Sequence, residues 1–117
     1  MEVSIRRVYD PPQKGEGLRV LVDRLWPRGV RKEDLHYDLW EKDLAPTPEL
    51  RKWFGHQPER WEEFHEKYRK ELQEPMAQER LRAVADQAGE RGITLLYGAR
   101  DPKHNHALVL LEAFKRL

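Results

Sequence analysis

Two polar clusters stand where apolar runs end. Arg19-Val20-Leu21-Val22 gives way to Asp23-Arg24-Leu25-Trp26-Pro27-Arg28, and the apolar stretch Ile93 to Tyr97 leads into Arg100-Asp101-Pro102-Lys103-His104-Asn105-His106. Arg24, Arg28 and Arg100 bring planar guanidinium forks suited to bidentate capture of phosphate or carboxylate. Tyr97, His104, Asn105 and His106 offer directional hydrogen bonds, and Trp26 offers an indole donor and a stacking face. Asp23 and His104 are the residues for acid–base chemistry, Asp23 either as a base or as the partner that orients an arginine. This set suits a small anionic ligand bearing phosphate or carboxylate, nucleotide-like ones included, and it would suit hydrolysis of one.

Each of these residues also has a structural reading. Asp23 follows three apolar residues, and a buried carboxylate needs a partner, for which Arg24 and Arg28 are the candidates. A structural ion pair weighs evenly against a functional one there. Asp101-Pro102 reads as an N-cap followed by proline at the first helical position. His104 and His106, two residues apart, do not share a helix face. A third metal ligand such as His56 would have to come from elsewhere, and no spacing matches a known ligand motif, so no metal is assigned. His36 and His65 sit in polar surroundings and read as exposed. The chain has no cysteine and its only serine is Ser4, which disfavours a covalent Ser or Cys nucleophile. No Gly-rich phosphate loop or nucleophile elbow is present, and no cofactor is implied.

The clusters need elements to position them. Val3 to Tyr9 alternates as a strand should, with Val3 and Ile5 on one face. The run from Arg19 towards Trp26 begins as a strand buried on both faces, as in parallel sheets. His36 to Trp40 fits a short edge strand. Thr47, Pro48 and Gly55 mark a helix by N-cap, first turn and stop. A helix starting near Pro58 puts Trp61, Phe64, Tyr68 and Leu72 on one face. Another opens at Pro75 with a stripe of Leu81, Val84, Ala85 and Ala88, ended by Gly89 and Gly92. Ile93 to Tyr97 is the last strand, and Ala107, Leu108, Leu110, Leu111 and Phe114 pattern a final helix. This order predicts an α/β fold: a small, mostly parallel sheet of three to four strands flanked by helices, one domain over residues 1–117. In such sheets ligands bind beyond the carboxyl ends of the strands. If the strands ending at Asp23 and near Arg100 are parallel neighbours, both clusters share that edge.

Length and charge narrow the partners. The 117 residues carry 22 basic and 21 acidic side chains, a net charge of +1. Nucleic-acid binders usually show a large basic excess. A nucleic-acid edge of Arg6, Arg7, Arg24 and Arg28 with Trp26 stacking therefore ranks second, and a protein-interaction module on the charged helices between Pro58 and Arg91 third. No apolar run approaches the ~20 residues that cross a bilayer, and residues 1–6 lack a signal-peptide core. The expected location is the cytoplasm, without membrane contact. Dense mixed charge without cysteine also suits a thermophile.

Four stretches carry a resemblance. They are Arg7-Val8-Tyr9-Asp10-Pro11, Arg19 through Gly29, Leu44-Ala45-Pro46-Thr47 through Leu50 to His56, and Leu95-Leu96-Tyr97 through Asp101 to Ala107. In order and over nearly the whole chain, they resemble the YeaO-like group of the domain-of-unknown-function family number 488. The resemblance implies a small bacterial or archaeal α/β protein. Longer relatives carry Cys-His-Arg after the last strand, where Asn105-His106-Ala107 stands here, so chemistry that depends on that cysteine does not carry over. Some similar proteins bear a winged-helix regulator label, but strands ending in Asp-Arg do not fit that fold.

Overall fold

Parallel strands need both faces covered, because their crossover connections lie over the sheet. The strand segments here meet that need to different degrees. The computed structural model describes residues 2–117. Its strands are β1 (Val3–Arg7), β2 (Leu18–Leu21), β3 (Leu39–Trp40) and β4 (Ile93–Tyr97), all parallel, in the order β1-β4-β2-β3. Every residue of β2 and β4 is buried. β4 is central. It pairs Val3 with Ile93 through Arg7 with Tyr97 on one side, and Leu18 with Ile93 through Leu21 with Leu96 on the other. The edge strand expected from His36 to Trp40 forms as the two-residue β3. The run expected to stay extended towards Trp26 leaves the sheet after Val22, whose N–H is the last to reach β4, on Leu96 C=O at 3.1 Å.

Four α-helices flank this sheet: α1 (Pro48–Phe54), α2 (Trp61–Glu71), α3 (Pro75–Ala88) and α4 (His106–Lys115). The Thr47 hydroxyl accepts from Leu50 N–H, and Gly55 closes α1 in the left-handed region at φ 54°. Pro58 opens a single 3₁₀ turn rather than the α-helix itself, which begins at Trp61. Phe54 stacks on Phe64 at 4.3 Å between ring centroids. The Tyr68 hydroxyl, fully buried, donates to Leu44 C=O.

The two sheet faces differ in kind. Val3, Leu18, Val20, Val22, Ile93, Leu95 and Tyr97 join the apolar sides of the four helices in one large core. On the opposite face Leu21 and Leu96 meet Val8 and Leu35, with Trp26, Tyr37 and Trp40 packed against them. Loop segments cover that face. At its amino end Glu16 lies between two arginines, contacting Arg6 Nε at 3.0 Å and Arg19 Nη1. Arg19, itself buried, also donates to His36 C=O at 2.6 Å. Among the described residues no helix is long and apolar enough to cross a membrane.

Gly17 enters β2 at φ 69°, and a Cβ there would collide with the backbone oxygens of Arg91 and Gly92. Neither the conformation nor the space admits a side chain. Gly17→Ala is expected to lose about 2–3 kcal/mol in urea unfolding, whereas Gly15→Ala, which meets nothing within 4 Å, should lose less, its cost limited to its own φ of 79°.

Candidate active-site cleft

β2 and β4 are parallel neighbours, so their carboxyl ends open on the same edge. The two polar clusters meet there through one contact: Gly98 N–H donates to Asp23 Oδ2 at 2.9 Å. The glycine permits this closeness, since a Cβ would sit 2.9 Å from the same oxygen. The other carboxylate oxygen lies 3.1 Å from His106 Nε2. That nitrogen is also 3.0 Å from Val22 C=O, and Trp40 Nε1 donates to Asp23 C=O at 2.7 Å.

Asp23 thus has Gly98 N–H on one oxygen and the His106 ring near the other, which is buried without a hydrogen bond among the described residues, and not an arginine as expected. Consecutive residues leaving an extended strand point to opposite sides, and Arg24 turns to the far wall. Its guanidinium donates to Ala45 C=O at 3.3 Å and to Pro46 C=O at 3.2 and 3.3 Å. The Arg28 side chain is exposed and has no protein partner among the described residues, while its C=O accepts from the Tyr9 hydroxyl at 2.9 Å.

Around these groups lies a cleft of about 400 Å³. Asp23, Arg24, Trp26, Arg28, Arg100, His104, Asn105 and His106 all line it, so eight of the residues singled out from sequence converge there. Tyr97 does not. Its ring belongs to the helical-face core, and burial pushes its hydroxyl pKa up. Trp26 reaches the cleft as a packed wall: its indole donates to Val30 C=O and meets Tyr37 and Trp40 edge-on, both at 5.5 Å.

The second cluster is built differently from its sequence reading. Asp101 is not the cap of the last helix. Its carboxylate accepts from Lys103 N–H at 2.9 Å and contacts His104 Nδ1 at 2.7 Å, closing a local turn. These contacts, the Lys103 N–H first and His104 next, hold its pKa below the usual value. With Asp101 so engaged, α4 starts at His106 and Asn105 caps it, accepting from Leu108 N–H at 3.2 Å. The Asn105 amide nitrogen donates to Asp101 C=O at 2.9 Å. Asn105 is only 2% exposed, so both ends of its amide serve the turn. His104 and His106 face different partners, and among the described residues no group of three His, Cys, Asp or Glu side chains gathers to hold a metal.

Two lining residues come from a segment that gave no such signal. Arg51 and His56 project from α1 and the turn after it. His56 is the one non-glycine residue at positive φ among those described, 57°. Such backbone is uncommon outside glycine and concentrates at functional sites. In sequence His56 stood out only as a hypothetical third metal ligand, and Arg51 as part of a helix. The signal available was the helix start at Thr47-Pro48, which fixes where α1 ends but not what it faces.

Comparison with known proteins finds relatives that span nearly the whole chain. Residues 2–116 match the model of a family described as the inactive DUF488-N3 subclade. An uncharacterised Escherichia coli K12 protein, YeaO, is 42% identical over 117 residues, covering 100% of both chains. Uncharacterised proteins of Mycobacterium bovis and Mycobacterium tuberculosis are each 42% identical over 110 residues, 94% of this chain and 91% of theirs. No solved structure matches.

Two outcomes are expected from this geometry. Asn105→Ala removes a cap with both amide ends engaged and should cost about 1–2 kcal/mol in urea unfolding, more than Asp101→Ala, whose site is half exposed. Asp101 has a folded pKa below its unfolded one, so its stabilising contacts are present above the ordinary carboxylate range and are lost as pH falls through the lowered value. The Lys103 amide resonance should therefore stay unchanged through the usual Asp titration and move only at more acidic pH.

Proposed function

The chain belongs to the inactive DUF488-N3 subclade, and on that premise we propose that it binds, rather than converts, a small anionic ligand in the cleft beyond β2 and β4. The observation that carries this reading is the placement of charge. Four arginines and a single acid line the cleft, a formal excess of three positive charges, in a chain whose entire net charge is +1. Arg28, Arg51 and Arg100 have side chains without protein partners among the described residues, so their donors are free for a ligand. Guanidinium forks match phosphate and carboxylate geometry, and a volume of about 400 Å³ lies in the ~300–1,000 Å³ range of small-molecule sites. Phosphate esters, nucleotides among them, suit the apolar walls of Trp26, Pro27 and Phe54 beside the arginines.

Binding is favoured over hydrolysis because one oxygen of Asp23, the candidate base, accepts from Gly98 N–H and the other is buried 3.1 Å from His106 Nε2. A nucleic-acid edge is disfavoured by the same kind of argument. Arg6 contacts Glu16, Arg7 donates to Ala99 C=O at 3.0 Å, and Trp26 is packed.

A thermal-shift panel of phosphate, sugar phosphates, nucleotides and carboxylates tests this reading. A ligand at one hundred times its Kd should raise stability by about 2.7 kcal/mol. Arg28→Ala and Arg100→Ala should weaken that ligand roughly tenfold or more while leaving the unliganded melting temperature unchanged. If no anion shifts the melting temperature, the cleft does not bind small anions.

A further inference from the structure

Resting on the anion-binding reading of the cleft, we propose that its ligand is a phosphate ester carrying free hydroxyl groups, of the kind shared by sugar phosphates and ribonucleotides. Two imidazoles of the cleft differ in which nitrogen holds hydrogen. His106 Nε2 faces two acceptors, Val22 C=O at 3.0 Å and Asp23 Oδ1 at 3.1 Å. A bare nitrogen there would set its lone pair against both oxygens, so Nε2 carries the hydrogen and Nδ1 of the neutral ring is an acceptor. In His104 the assignment is reversed. Nδ1 lies 2.7 Å from the Asp101 carboxylate and carries the hydrogen, so in the neutral ring Nε2 is the acceptor.

Both histidines line the cleft, and among the described residues the only ring hydrogen bonds are those of His104 Nδ1 and His106 Nε2, which leaves both acceptor nitrogens without a partner. Asn105, between them, is buried with one hydrogen bond at each end of its amide spent within the turn. The cleft therefore offers two different kinds of group. Guanidinium donors call for an anion, and two imidazole acceptors call for O–H or N–H donors on the same molecule. Inorganic phosphate or a simple carboxylate satisfies the first set and leaves the second unpaired. A phosphorylated sugar satisfies both, and a site built to bond hydroxyls discriminates against analogues that lack them.

The test is calorimetric titration at pH 8 with two matched pairs. AMP is compared with 2′,3′-dideoxy-AMP, and ribose 5-phosphate with ethyl phosphate. The wild type is expected to bind the hydroxylated member of at least one pair about tenfold tighter or more, the worth of one or two hydrogen bonds. A preference in the AMP pair points to a nucleotide, and one confined to the ribose pair points to a sugar phosphate. His106→Gln keeps a donor amide where Nε2 stood, on Val22 and Asp23, but has no counterpart of Nδ1. It should fold and should bring the ratio towards one while still binding the phosphate ester. His104→Phe, which leaves Asp101 its Lys103 contact, is the second variant and should reduce the same ratio. Equal binding within both pairs, or a preference that persists in both variants, overturns the hydroxyl proposal and leaves anion binding standing. No binding of any of the four probes at millimolar concentration overturns the anion reading and this proposal with it.

Discussion

The position of β4 between β1 and β2 is the constraint on which the rest of the molecule depends. A five-residue strand buried along its whole length has no solvent to satisfy its backbone groups, so both edges must be paired. Pairing with β1 and β2 in parallel puts three carboxyl ends at one edge and three amino ends at the other. The connections then have to cross the sheet. The longest of them, from β3 to β4, contains α1, α2 and α3 and delivers its apolar stripes to one face, where they form the large core.

This asymmetry shapes the cleft. The helical face is closed by Phe54, Phe64 and Tyr68, and the opposite face by the smaller group around Leu21, Leu96 and Trp26. The cleft draws its walls from both: Phe54 and Phe64 on one side, Trp26 and Pro27 on the other. Between them the Asp23 carboxylate ties the end of β2 to Gly98 after β4 and to His106 at the start of α4. One side chain therefore joins three segments remote in sequence.

Opposite charge placement marks the two ends of the sheet. At the amino end Arg6 and Arg19 are spent on Glu16. At the carboxyl end Arg28, Arg51 and Arg100 have no acid set against them among the described residues. Counting charges along the chain does not separate these cases, because a paired arginine and a free one contribute equally to a net charge of +1.

The sequence by itself determined the elements and their apolar faces. Period and punctuation are local properties: Thr47-Pro48 with Gly55, the spacing of Phe64, Tyr68 and Leu72, and the unbroken apolar run of Ile93 to Tyr97 each act within one or two turns of chain. It also determined that two polar clusters, Asp23 to Arg28 and Arg100 to His106, follow apolar strands. The tertiary structure decided what local signals cannot reach. Asp23 takes His106 and Gly98 in place of an arginine because β2 and β4 are neighbours. Tyr97 turns inward because its register places it on the helical face. Asn105 caps α4 because Asp101 is already bonded to Lys103 and His104, and two residues with equal capping propensity are separated only by which of them is otherwise engaged. Arg51 and His56 enter the cleft because α1 is packed over the strand ends, a placement set by contacts between segments far apart in the chain rather than by any residue's own neighbours.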